Sequence, residues 1–150
     1  MHQDRFTPPA GAFTRSVTIR FSHCDAAGIV YFPHYFDMFN AAVEDWYKAE
    51  LNYDYAELVM GSHFAFPIVH IDCDFKIPSM MGEIVDLTLL VERIGRSSLA
   101  IAIVCHRDGF ERLRARMVTA MMSLTTRKPV PMPQPLRAAI EDYQRRTAAA

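Results

Sequence analysis

Only one long stretch of the 150-residue chain carries a helical period, and it is strongly aromatic. From Pro33 to about Leu51, the residues Tyr35, Phe36, Phe39, Ala42, Val43, Trp46 and Tyr47 recur at steps of three and four. Asp37, Glu44, Asp45 and Lys48 fall largely between them, and Pro33 suits the first helical position. So wide an aromatic stripe must be buried, and the residues that follow supply a sheet to bury it against.

After Gly61 the period becomes two. Val69, Ile71, Cys73 and Phe75 alternate with His70, Asp72, Asp74 and Lys76, and Pro78 ends the run. Val85, Leu87, Leu89 and Val91 alternate with polar residues up to Gly95. Leu99 to Cys105 is almost wholly apolar, as in a central strand covered on both faces. Asp108-Gly109 signals a hairpin, after which Leu113, Ala115, Met117, Thr119 and Met121 alternate with Arg112, Arg114 and Arg116. An earlier run, Val17, Ile19 and Phe21, has the same period. Y-A-E-L-V-M-G-S adds a helical turn stopped by Gly61, and Leu136 to Arg145 forms a short terminal helix after the proline-rich P-V-P-M-P-Q-P. Short turns between the last four strands make them antiparallel neighbours. The predicted class is α+β, a curved antiparallel sheet of about five strands with one long helix on a face.

This length suits a single domain. A formal net charge of -1 gives no reason to expect binding to nucleic acid or to an anionic membrane. With 51% apolar residues, a near-neutral domain of this size tends to associate, so a homo-oligomer is expected. Three widely spaced cysteines, Cys24, Cys73 and Cys105, form no CxxC pair and argue against a disulfide framework or structural zinc. No apolar run resembles a signal peptide or a membrane span, which predicts a cytoplasmic protein with reduced thiols.

The chemistry concentrates in H-C-D-A-A-G-I-V-Y-F-P, residues 23–33. His23, Cys24 and Asp25 are adjacent ligand-type residues that cannot easily converge on one metal, and no metal is expected. Cys24 with His34 or His63 would make a nucleophile pair on paper, though cysteine also serves as a small buried hydrophobe. Asp25 before a glycine turn can simply bond the backbone. It also leads into the N-terminus of the long helix, where unpaired N–H groups and a partial positive charge can hold an oxyanion. A carboxylate, an apolar pocket and a helix start together suit acyl-group hydrolysis.

The segment D-A-A-G-I-V-Y-F-P-H-Y-F-D-M-F resembles the active-site segment of the 4-hydroxybenzoyl-CoA thioesterase family, and the likeness extends from about Val17 to Thr125. P-I-V-H-I-D-C-D-F and the G-R-S-S turn belong to it as well. The resemblance implies the hot-dog fold, a sheet wrapped around a central helix, spanning residues 14–128. Residues 1–13 would be a loose leader, and 129–150 a proline-rich stretch with a short helix. It implies hydrolysis of an acyl-CoA thioester to acid and free CoA without a cofactor. It also implies a dimer or dimer of dimers with active sites at subunit interfaces. Asp25 would be nucleophile or general base, the Phe32 backbone N–H would polarise the thioester carbonyl, and Gly28 would admit a close backbone approach. Tyr31 would line the acyl pocket. Many members carry an acid where this chain has His23. If His23 does more than support the turn, its protonated form would favour an ionised Asp25.

CoA carries a diphosphate and a 3′-phosphate, so basic residues are expected around its site. By the resemblance, Arg93 and Arg96 with Ser97 and Ser98 supply them, and Arg127 and Lys128 are a second choice. His34 could lie near the thioester or be a solvated helix-start histidine. Ser62 and His63 could reach the acyl group from a neighbouring subunit. The functional expectation is an acyl-CoA thioesterase acting on an aryl or a short- to medium-chain acyl group. The alternatives are a non-catalytic acyl-CoA-binding module on the same fold and a purely structural oligomer.

Overall fold

A computed structural model describes residues 3–148. Residues 1, 2, 149 and 150, the outer ends of the expected leader and C-terminal segment, lie outside the described residues. The chain forms β1 (Thr14–Thr18), α1 (Pro33–Leu51), β2 (Phe64–Ala65), β3 (Ile68–Phe75), β4 (Ile84–Ile94), β5 (Ser98–Arg107), β6 (Phe110–Ala120), β7 (Met122–Ser123) and α2 (Gln134–Arg146). Five strands make one antiparallel sheet in the order β1-β4-β5-β6-β3, and β2 pairs with β7.

The period of the long helix becomes its packing. Tyr35, Met38, Phe39, Ala42, Trp46, Tyr47 and Leu51 are buried, while Phe36 and Val43 lie at the margin of the core. Asn52 ends the helix in the left-handed conformation, with its N–H donated to the Tyr47 carbonyl. On the sheet, Leu87, Leu89, Ile101, Ile103, Cys105, Leu113, Ala115 and Met117 complete the same core. As its composition predicts, β5 is covered on both faces: Ala102 and Val104 are as buried as Ile101 and Ile103. Asp108 and Gly109 both take positive φ (54° and 81°), the backbone of a two-residue hairpin turn. The Tyr55–Gly61 region turns helically, and burial of Leu58 holds it on the core.

Three expectations change. Phe21 belongs to no buried strand face. The β1 strand ends at Thr18, a tight turn follows at Phe21–His23, and Phe21 is 81% exposed. The leader is not loose over its described part. Arg5 bridges Phe110, Phe6 N–H bonds the Gly109 carbonyl, Glu111 N–H bonds the Asp4 carbonyl, and Lys76 joins the Asp4 and Glu111 carboxylates. The terminal helix also belongs to the core. Leu136, Ile140 and Tyr143 are buried, and the Tyr143 hydroxyl accepts the Phe13 N–H at 2.9 Å while donating to the Leu89 carbonyl. Helix α2 thereby closes the part of the β4 edge that β1 leaves unpaired. Tyr143→Phe should cost about 1–3 kcal/mol in a urea melt, because the part-buried Phe13 N–H and the buried Leu89 carbonyl both lose a partner. An unchanged midpoint would contradict that role.

One buried histidine and one paired carboxylate set the acid limb of stability. His106 is buried, with Nε2 2.7 Å from Thr88 Oγ1 and the Phe6 ring against its own. Burial holds its imidazole below the ordinary value of 6.5, and Asp86 offsets this only partly. Above pH 6.5 it is neutral in both folded and unfolded chains. Below 6.5 the unfolded chain takes up a proton that the fold resists, so stability falls. Glu83 is held down to about 2, first by its bidentate pair with Arg112 (2.8 and 3.1 Å) and then by the Met80 N–H. Its contribution is present above pH 4.5 and is lost as pH falls from there toward 2. Urea melts at pH 7.5, 5.5 and 3 should show both losses, with the first reduced in His106→Gln. Constant stability between pH 7.5 and 5.5 would contradict the first assignment.

Candidate active site

The motif is a closed loop pinned to the sheet. Asp25 N–H bonds the Ile29 carbonyl at 3.1 Å, and Gly28 N–H bonds the Asp25 carbonyl at 3.0 Å. The Asp25 side chain accepts the Ala27 N–H on Oδ1 at 2.9 Å, an Asx-type turn. Gly28 has φ +77°, where a side chain is strained. A Cβ there would meet nothing within 4 Å in the single chain, so the backbone conformation rather than crowding demands glycine. Met81 N–H to the Gly28 carbonyl and Val30 N–H to the Ser79 carbonyl tie the loop to the β3–β4 connection.

The helix start leaves one donor. Tyr31 N–H bonds the His23 carbonyl, His34 N–H the Tyr31 carbonyl and Tyr35 N–H the Phe32 carbonyl. Pro33 has no N–H. Among the described residues no acceptor takes the Phe32 N–H, which therefore stands free at the positive end of a 19-residue helix. Asp25 is exposed beside this start, and only its Oδ1 is engaged among the described residues.

Next to the helix start opens an apolar cavity of about 380 Å³, walled by Ile29, Phe32, Tyr35, Phe75, Ile77 and Ser79 among others. Phe32 and Phe75 meet edge to face with centroids 6.4 Å apart. Tyr31 is not part of this wall. It follows buried Val30 in extended chain, so its ring turns outward and rests against Phe32 and His34 at 5.6 and 5.8 Å. Phe75, Ile77 and Ser79 of this wall, and the Glu83–Arg112 pair bonded to Ser79, carry no signal of this placement in the sequence. No local pattern links the β3–β4 connection to a loop fifty residues earlier.

His23 has a structural task. Its Nδ1 accepts the Arg20 N–H at 2.9 Å, and its ring faces His34 at 6.4 Å. Partial burial, then the charges of His34 and Arg20, lower its pKa, so it is neutral at pH 7 and brings no positive charge to Asp25. It supports the turn. Neither nucleophile pairing of Cys24 forms among the described residues. Cys24 packs at the core margin, and no hydrogen bond joins it to His34 or His63. Among the described residues no group of three His, Cys, Asp or Glu side chains could hold a metal ion.

The Arg93, Arg96, Ser97, Ser98 turn is not brought to the motif within one chain. Hairpin strands of ten or eleven residues place successive turns at opposite ends of the sheet, about 30 Å apart. The motif joins the end that holds Phe75, Ile84 and Arg107, whereas this turn lies at the end of Ile68, Thr119 and Ala120. There the Arg96 and Ser97 carbonyls accept the Met132 and Met121 N–H groups. Ser62, His63, Arg127 and Lys128 flank β2 and β7 near that far end. Arg112, Arg114 and Arg116 pair with Glu83, Glu111 and Glu92.

A 1,4-dihydroxy-2-naphthoyl-CoA hydrolase of Synechocystis sp. is 30% identical over 134 residues, covering 88% of this chain and 96% of the relative. The crystal structure of a 1,4-dihydroxy-2-naphthoyl-CoA thioesterase from Synechocystis superposes with TM-score 0.80 at 27% identity, over 88% of this chain and 97% of that one. A Staphylococcus aureus protein solved in complex with CoA superposes with TM-score 0.86 over 98% of this chain and 92% of its own, at 13% identity, which shows the fold alone. No helix among the described residues is long and apolar enough to cross a membrane. Residues 19–140 match the thioesterase-like superfamily, so the chain belongs to that superfamily and has the hot-dog fold of its thioesterases.

Proposed function

We propose that the chain is an acyl-CoA thioesterase that takes an aromatic acyl group, with Asp25 and the Phe32 N–H as its reacting centre. The observation that carries this reading is the free Phe32 N–H at the helix start, beside an aspartate and an apolar cavity. The thioester carbonyl oxygen would accept the Phe32 N–H, and the helix dipole would stabilise its developing charge. The free Asp25 oxygen would then attack the carbonyl carbon and expel CoA as its thiolate. Water would hydrolyse the resulting anhydride to the acid, restoring the Asp25 carboxylate. Alternatively Asp25 takes a proton from a water that attacks directly. Both routes consume one water and release one acid and one CoA. Gly28 keeps the loop backbone bare where the thioester passes, and Tyr31 and His34 form the rim over which the CoA arm leaves.

A second copy of the chain completes this site in our reading. Strand β3 is a sheet edge whose Val69 and Phe75 are 62% and 53% exposed, with Ile68 and Ile71 also open. Long apolar edges left bare invite aggregation and are normally covered. Antiparallel pairing of two β3 edges would set the far end of one sheet beside the motif end of the other. The Arg93, Arg96, Ser97 and Ser98 turn of the second copy would then be about 15 Å away across three strand spacings, within reach of the CoA phosphates.

Hydrolysis of a panel of aryl- and alkyl-CoA thioesters tests the substrate class. The aryl thioesters should lead in kcat/KM by at least about tenfold. Preference for a straight-chain acyl group would overturn the aromatic assignment, and cleavage of none would overturn the activity.

A further inference from the structure

The loop that carries Asp25 is held from a distance. Among the described residues, the backbone bonds that tie residues 24–30 to a remote element all run to the β3–β4 connection. Val30 N–H bonds the Ser79 carbonyl at 3.0 Å, Met81 N–H bonds the Gly28 carbonyl at 3.1 Å, and Ile29 and Met80 are bridged between them. Burial does little to anchor that connection. Of residues 76–83 only Ser79 is buried, while the Met80 and Met81 side chains are exposed. Gly82 and Glu83 pair with Ile19, and the rest depends on β6. There Arg112 bonds five residues of the connection. Its carbonyl accepts the Lys76 and Ile77 N–H groups at 2.9 and 3.0 Å. Its Nη1 donates to the Pro78 carbonyl at 3.3 Å, to Ser79 Oγ at 3.2 Å and to Glu83 Oε1 at 2.8 Å, and its Nη2 donates to Glu83 Oε2 at 3.1 Å. The Arg112 side chain is 13% exposed, so water competes little for these bonds.

Resting on the thioesterase reading above, we infer that Arg112 is a positioning residue for the reaction: it fixes the β3–β4 connection against the loop and so sets the Asp25 carboxylate relative to the Phe32 N–H. Glu83 holds the guanidinium in the plane from which one nitrogen reaches three acceptors. The task needs a flat, rigid fork of donors, which arginine has and lysine lacks. The rate depends on the placement of reacting atoms so steeply that a misplacement of about 1 Å, caused far from the chemistry, can cost a hundredfold. Binding of an aryl group is spread over many apolar contacts and is less sensitive to such a shift. Loss of Arg112 therefore acts on turnover more than on affinity, and it acts through Asp25.

The test is a double-mutant cycle between Arg112→Gln and Asp25→Asn, read as kcat and KM on an aryl-CoA thioester well below the melting midpoint of every variant. With Asp25 present, Arg112→Gln should lower kcat about 10- to 100-fold and change KM by less than about threefold. In the Asp25→Asn background the same substitution should cost less than about threefold in kcat, because a group already removed cannot be misplaced. A residue that only stabilised the fold would lower the midpoint and leave the kcat of the folded protein intact. Unchanged kcat in Arg112→Gln would therefore overturn the inference, as would equal losses in the two backgrounds. Arg112→Lys keeps a cation beside Glu83 without the fork and should lose an intermediate share of kcat. It replaces Arg112→Gln in the cycle, with the same outcomes deciding, if that variant does not fold. Either contrary result leaves the thioesterase reading standing so long as wild type turns over and Asp25→Asn is impaired. Absence of turnover by wild type would overturn both.

Discussion

Asp25→Asn is expected to lower kcat on an aryl-CoA thioester at least about a hundredfold, with KM changed by no more than about threefold. The substitution isolates the charge. The asparagine carbonyl can still accept the Ala27 N–H that Asp25 Oδ1 accepts at 2.9 Å, so the turn is kept. What is lost is the nucleophilic or basic oxygen. If Asp25 only shaped the turn, Asp25→Asn would be nearly silent. Full activity in this variant, with the fold intact by circular dichroism, would return Asp25 to the structural role that aspartates before glycine turns usually have.

The second large effect concerns the sheet edge. Val69→Asp is expected to convert an oligomer into folded monomers and to lower kcat/KM at least tenfold. Val69 is 62% exposed in the single chain, so a carboxylate there costs the isolated fold little. Across a paired edge the same carboxylate would be buried without a partner, which opposes pairing. Sedimentation velocity beside a thioesterase assay separates the outcomes. A wild type that is monomeric and fully active would contradict the interface site, as would an active monomer of Val69→Asp.

What the sequence revealed and what it hid divide along physical lines. The helix over Pro33–Leu51 and the strands around Leu87, Ile103 and Ala115 were legible because burial on one face writes a period into the chain. The Asp108-Gly109 turn was legible because its two positive φ angles restrict which residues fit. Asp25, Gly28 and Phe32 could be singled out as candidates because loop, glycine and helix start are contiguous. Phe21 was misplaced because alternation alone does not reveal where a strand stops pairing. The direction of Tyr31 was hidden because it depends on Val30 being drawn into the core. The Ser79–Arg112–Glu83 cluster was hidden because the β3–β4 connection and β6 meet there, and no local spacing records such a meeting. Lys76, half-buried beside Asp4 and Glu111, is another case: the leader looked unstructured because its partners lie seventy and more residues away.

The most direct test of the central claim is release of free CoA from 1,4-dihydroxy-2-naphthoyl-CoA by the wild-type protein, followed with a thiol reagent while binding is measured in parallel. The account predicts many turnovers per chain, one acid and one CoA for each thioester consumed. Saturable binding with no CoA released, on this thioester and on the remainder of the aryl and alkyl panel, would contradict it and make the chain a binding module on a thioesterase fold.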